Sequence, residues 1–295
     1  MADEHSSTPA QRSLAFSGAG GLRLAAEAVG GRGAPPVLLL HGGGQTRHAW
    51  AGTAMRLAEA GFLAIALDAR GHGDSQWAED GDYSGDALAA DLARVCASLH
   101  APPALVGASM GGMASMLAVG ESPSDLASAL VLVDIATRLE PVGVARVLDF
   151  MRAHTDGFAS LEEAADAVAA YNPHHKARGT AGLRKNLRQR TDGRWYWHWD
   201  PRFLDHATRS PAGEALIPQE RREQAARRIR IPTLLVRGGS SDVVSPEGAR
   251  ELQQLIPQAE LFDVEDAGHM VAGDRNDIFS NAVIGFLRRE LPAGS

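Results

Sequence analysis

Short, mainly apolar strings recur along this chain, separated by longer stretches in which apolar residues return every third or fourth position. Val37-Leu38-Leu39-Leu40 is one such string, and residues 63–67, 104–106, 129–133, 233–236 and 260–262 are others. Continuous runs of this length predict strands buried on both faces of a parallel sheet. Between them lie helical patterns. Residues 84–99 open on Ser84, a side chain suited to an N-cap, and carry Leu88, Leu92, Val95 and Leu99 on one face. Ser245-Pro246 opens a second at 246–256, with proline at the first helical position. A third, 276–291, aligns Ile278, Phe279, Val283, Phe286 and Leu287. The alternation predicts an α/β fold, a mostly parallel central sheet flanked by crossover helices.

The rhythm stops between about 136 and 228. That segment has helical spacing, interrupted by Asn172-Pro173-His174-His175 and by Trp195-Tyr196-Trp197-His198-Trp199, and no strong parallel-strand signal. It reads as a helical lid inserted between two sheet strands. The core then comprises 13–135 and 229–295, and polar residues 1–12 read as a disordered tail.

Composition narrows the function. A chain of 295 residues, 44% hydrophobic and 22% charged, builds a large core without staples. The net charge of −7 argues against nucleic-acid binding, and the basic pairs Arg221-Arg222 and Arg227-Arg228 lie among Glu220 and Glu223 as on a solvated helix face. One cysteine, Cys96, allows no internal disulfide and fits a reducing compartment. The start, Met1-Ala2-Asp3-Glu4, has no apolar stretch of a signal peptide, and no run is long enough to span a bilayer. The expectation is a cytoplasmic protein acting on a small molecule, of unspecified oligomeric state. His174 and His175 are adjacent and cannot share a helical face as metal ligands at i and i+4 do; no metal is expected.

The chemistry concentrates in four places. Gly107-Ala108-Ser109-Met110-Gly111 follows an apolar string and precedes a helical run, the context of a nucleophile elbow. So tight a turn needs small flanking residues and thrusts the serine hydroxyl out of the sheet. His41-Gly42-Gly43-Gly44-Gln45 follows the 37–40 string. An N–H from this loop, on Gly43 or alternatively Gly44, would join that of Met110 as an oxyanion hole. The loop lacks the lysine of a phosphate-binding P-loop. His269 stands past the last apolar string, placed as the general base. Asp242, in Arg237-Gly238-Gly239-Ser240-Ser241-Asp242, is the favoured acid to orient it, completing a nucleophile–acid–histidine order. Asp134, directly after the 129–133 string, is the alternative.

These motifs resemble the α/β-hydrolase superfamily over almost the whole chain. Asp68-Ala69-Arg70-Gly71-His72-Gly73-Asp74-Ser75 looks like the D-x-R-G-H-G-x-S loop common there, and reads as structural. With the tryptophan-rich insertion, the chain is similar to bacterial lid-bearing ester hydrolases. The resemblance implies a serine hydrolase of esters, lactones or thioesters, or a C–C hydrolase or cofactor-free perhydrolase, with no metal, flavin or nucleotide. Epoxide hydrolases and haloalkane dehalogenases of this fold use aspartate where Ser109 stands. Binding or signalling members often lose part of the triad, and every part is present here. Trp195, Trp197 and Trp199 are expected on a substrate pocket, on one side if the segment is extended.

Overall fold

The computed structural model describes residues 11–172, 180–208, 216–265, 267–271 and 276–291, without the side chains of 181 and 206–208; His174 and His175 lie outside the described residues. Its centre is an eight-stranded sheet. In chain order the strands are β1 (Gln11–Ser17), β2 (Arg23–Val29), β3 (Pro36–Leu40), β4 (Leu63–Leu67), β5 (Ala104–Ala108), β6 (Ala129–Val133), β9 (Thr233–Gly238) and β10 (Ala259–Val264). Their spatial order is β1-β2-β4-β3-β5-β6-β9-β10. All pairings are parallel except β1 with β2 and β2 with β4.

All the apolar strings become parallel strands, and all but the edge strand β10 are covered on both faces. Leu38, Leu105 and Leu130 point into one hydrophobic layer, and Val37, Val106 and Val131 into the other. The covering helices include α1 (Ala51–Glu59), α2 (Gly85–Ala97), α3 (Met110–Glu121), α9 (Pro246–Leu255) and α10 (Asn276–Glu290). Ser84 and Ser245 cap α2 and α9 through their side chains, as their positions predict. Two residues assigned to the expected tail, Gln11 and Arg12, belong instead to β1, paired with Val29 and Ala28.

The insertion between β6 and β9 contains α4 (Pro141–Ala153), α5 (Leu161–Tyr171), α6 (Thr180–Leu183), α7 (Phe203–Thr208) and α8 (Gln219–Ala226). It is not purely helical. β7 (Leu187–Gln189) and β8 (Trp195–Trp197) form a two-stranded antiparallel ribbon. Its turn depends on Gly193, at φ 80°, and Arg190 and Arg194 exchange a backbone hydrogen bond across it. The apolar–polar alternation of Trp195-Tyr196-Trp197 is the strand period. The buried Arg222 of α8 donates to the carbonyls of Thr137 and Ile217, near the two ends of the insertion. α8 itself lies directly on α3, where a side chain at Gly120 would meet the backbone of Ala225.

Candidate active site

Ser109 sits between β5 and α3 at φ 47°, ψ −112°, a conformation few non-glycine residues adopt. The close approach of strand and helix explains its neighbours. A Cβ on Gly107 would lie 2.6 Å from the Gly111 carbonyl, and one on Gly111 would lie 2.5 Å from that of Leu40. Only glycine fits either position. The Ser109 N–H donates to Val133 O at 3.2 Å, which ties the elbow to the next strand.

That strand delivers the acid. Asp134 follows β6 immediately, at φ 48° and fully buried. Its Oδ2 lies 2.7 Å from His269 Nδ1 and accepts from Ser241 Oγ at 2.6 Å; its Oδ1 accepts from Gly238 N at 2.9 Å. A buried carboxylate needs such partners to stay charged. The expectation that Asp242 orients His269 is therefore corrected: Asp134 occupies that place. Asp242 is part-exposed and pairs with Arg146 of α4, 2.7 Å away. The glycine- and serine-rich loop before Asp242 serves the site differently, because its Gly238 amide and Ser241 hydroxyl hold the Asp134 carboxylate.

The 41–45 loop, expected to supply an oxyanion hole, is also more specific than its sequence. Gly44 N–H donates to His72 Nε2 at 3.2 Å, so it is engaged and the alternative donor is set aside. Gly43, which borders the cavity beside Ser109, and Met110 remain. His72 Nδ1 lies 3.1 Å from the carbonyl of Arg70, and His41 Nδ1 lies 2.8 Å from that of Gly42 while its Nε2 accepts from Ala69 N at 3.0 Å. Both rings are thus neutral Nδ1–H tautomers bridging the 41–45 and 68–75 loops. Burial, with the neighbouring His41 next, drives the His72 imidazole down to about 3. The 68–75 loop is a structural knot, as expected: Asp68 takes up Arg47 and the Asp74 amide, and Arg70 makes a two-pronged pair with Asp91 at 2.7 and 2.8 Å.

His72→Leu is expected to lower kcat about 10–100-fold with little change in KM, short of the ~10²–10³-fold cost of deleting an oxyanion donor outright. His72→Gln, which keeps an acceptor, should restore most of it. A matching loss in both variants would contradict the role. Acid stability adds a second readout. The folded state resists protonating His72 until about pH 3, whereas the unfolded chain takes the proton near 6.5. This stabilisation is full above pH 6.5 and is lost as pH falls toward 3. The Tm of His72→Gln should therefore fall less steeply than that of the wild type between pH 6.5 and 4.

Ser109 and His269 open on a cavity of about 500 Å³ beneath the insertion. Trp197 and Trp199 border it, but Trp195 does not, which corrects the expectation for that residue. Two residues of strand carry the chain about 7 Å along β8. Trp195 thereby passes beyond the cavity, pairs with Phe158 and lies under the Arg184 guanidinium. Met270, on the histidine loop, receives a hydrogen bond from Gln45 of the oxyanion loop at 3.3 Å.

A mostly parallel sheet with a serine elbow after β5, a carboxylate after the neighbouring β6 and a histidine after β10 defines the α/β-hydrolase class. The chain belongs to the alpha/beta hydrolase fold family, whose profile matches residues 35–275. It is 32% identical over 272 residues to esterase Rv0045c of Mycobacterium tuberculosis, covering 87% of this chain and 84% of that protein. A solved structure of that esterase superposes with a TM-score of 0.75 at 29% identity, covering 97% of this chain and 93% of the other. The 2-(acetamidomethylene)succinate hydrolase of Mesorhizobium japonicum is 30% identical over 268 residues, 86% of this chain and 88% of its own length. Among the described residues no helix is long and apolar enough to cross a membrane.

Proposed function

We propose that this chain is a serine hydrolase that cleaves carboxylic esters of small to medium apolar molecules through an acyl-enzyme. The observation that carries the reading is the 2.7 Å contact of Asp134 with His269 Nδ1, in a cavity shared with the elbow serine. Asp134 holds the Nδ1–H tautomer and leaves Nε2 to take the proton from Ser109 Oγ. Oγ attacks the ester carbonyl, and the amides of Gly43 and Met110 receive the charge that develops on its oxygen. His269 returns the proton to the departing alcohol. Water, activated by the same imidazole, then releases the acid. The insertion serves as a lid that roofs the cavity and excludes bulk water.

The Mesorhizobium relative raises a second substrate type, a dicarboxylate. The cavity wall argues against it. Among the described residues none of its lining side chains is Lys or Arg, and burial, aided by Arg47, lowers the pKa of its His48. Among the described residues none neutralises a second carboxylate. A neutral aryl or alkyl ester fits the wall of Val147, Phe150, Met151, Val168 and Trp197.

The test is fluorophosphonate labelling, with the adduct located by mass spectrometry, alongside a panel of esters, lactones and thioesters. Modification of Ser109 with ester turnover is expected; an unmodified serine and no turnover across the panel would sink the reading. Trp197→Ala is expected to raise KM for aromatic esters about tenfold, the cost of roughly 1.4 kcal/mol of lost contact. Trp195→Ala, off the cavity, should leave KM unchanged. Equal effects from both would show that the indoles act only through packing.

A further inference from the structure

Ser109 and His269 border not one chamber but two. The second is about 70 Å³ and lies between α4, α3 and the loop after β9. Met113, Ile135, Val144, Leu148, Leu216 and Val243 contribute to its wall, and among the described residues its only polar side chains are Ser109 and His269 themselves. The large chamber differs in kind: Gln45, His48, Asn172 and Asn186 stand on its wall among the apolar residues.

We propose that the two chambers divide the ester: the small one takes the acyl chain, up to about four carbons with its carbonyl, and the large one takes an apolar alcohol. The inference rests on the serine ester hydrolase reading. Size sets the limit. A cavity of ~150 Å³ accommodates a benzene ring, so about 70 Å³ holds roughly three carbon atoms beyond the carbonyl. The order of bond changes sets the orientation. When the Oγ–acyl bond forms and the ester C–O bond breaks, the alcohol takes its proton from His269 and leaves. Water must then reach the acyl carbon from the vacated side, give its proton to His269 and form the new C–O bond as the Oγ–acyl bond breaks and Ser109 Oγ takes that proton back from His269. Water enters a chamber with polar walls readily, whereas a small apolar chamber stays dry. An acyl chain in the large chamber would leave only the dry one for the attacking water. The substrate class is therefore an acetate-to-butyrate ester of a bulky apolar alcohol.

Reverse esters separate the two orientations. Wild-type kcat/KM for 2-naphthyl butyrate should exceed that for propyl 2-naphthoate at least tenfold, and should fall at least tenfold from 2-naphthyl butyrate to the hexanoate. Leu148→Ala, which enlarges the small chamber away from the reacting groups, should raise hexanoate turnover at least fivefold. Val144→Phe, which fills it, should depress butyrate relative to acetate. A preference for the naphthoate, an acyl profile flat to octanoate, or a Leu148→Ala change confined to alcohol preference would overturn the assignment. Fluorophosphonate labelling of Ser109 keeps the outcomes apart. Labelling with the wrong acyl profile defeats the chamber assignment alone, while absence of both labelling and turnover defeats the hydrolase reading beneath it.

Discussion

Ser109→Ala is expected to lower ester turnover at least about 10⁴-fold while leaving Tm within a few degrees of the wild type. The acyl-enzyme route loses its attacking atom, yet the amides of Gly43 and Met110 remain, so a small rate above that of water survives. The elbow sharpens the expectation. Ser109 holds φ at 47° because β5, α3 and β3 approach so closely that Gly107 and Gly111 admit no side chain. Alanine must adopt the same strained backbone that serine already carries, so the stability change should stay within about 1 kcal/mol. Turnover in protein purified free of host esterases, with the melting curve, checks both. Wild-type-like turnover would remove Ser109 from the mechanism.

Exchanging the two acids should separate them as sharply. Asp134→Asn is expected to reduce kcat about 10⁴-fold, because an amide in place of Oδ2 offers its NH₂ to His269 and favours the tautomer with the proton on Nε2. The backbone tolerates the change, since asparagine visits positive φ more readily than most residues. Asp242→Asn should leave kcat within about threefold. It costs only a part-exposed pair with Arg146, worth at most about 1 kcal/mol. Steady-state kinetics on both folded variants, with a pH profile for Asp134→Asn, make the comparison. A large loss in Asp242→Asn beside a normal Asp134→Asn would return the role to the loop after β9.

The centre of the sheet was readable because β3, β4, β5, β6 and β9 are buried on both faces and so are written as apolar strings. β1 and β2 were not. β1 alternates exposed and half-buried residues at the sheet's edge, and β2 is rich in alanine, so neither carries a strong strand signal. Ser109 and His269 stand out locally, one by the steric demands of its turn and one by its place after the last strand. Which carboxylate faces His269 is a question of spatial order, and the chain alone does not show that β6 lies between β5 and β9. One physical cue was available. Asp134 lies in a run of otherwise uncharged residues from Ala129 to Thr137, all of them buried in the structure, where an ionised group needs dedicated partners. Asp242 sits where a carboxylate needs none. The occupation of the Gly44 amide by His72 had no sequence signal, since it joins loops from two different strands.

The arrangement around Arg222 bears on how such a protein diversifies. The chain leaves the sheet after β6 and returns at β9, and those strands are immediate neighbours. One guanidinium joins the carbonyl of Thr137, just after β6, to that of Ile217, just before α8. Everything between them is a closed excursion whose ends are fixed independently of its contents. Lengthening such an excursion adds loop-closure entropy only logarithmically, roughly 0.6 kcal/mol per doubling. The segment proposed as a lid is thus an excursion whose length can change at small entropic cost while the sheet register stays where it is.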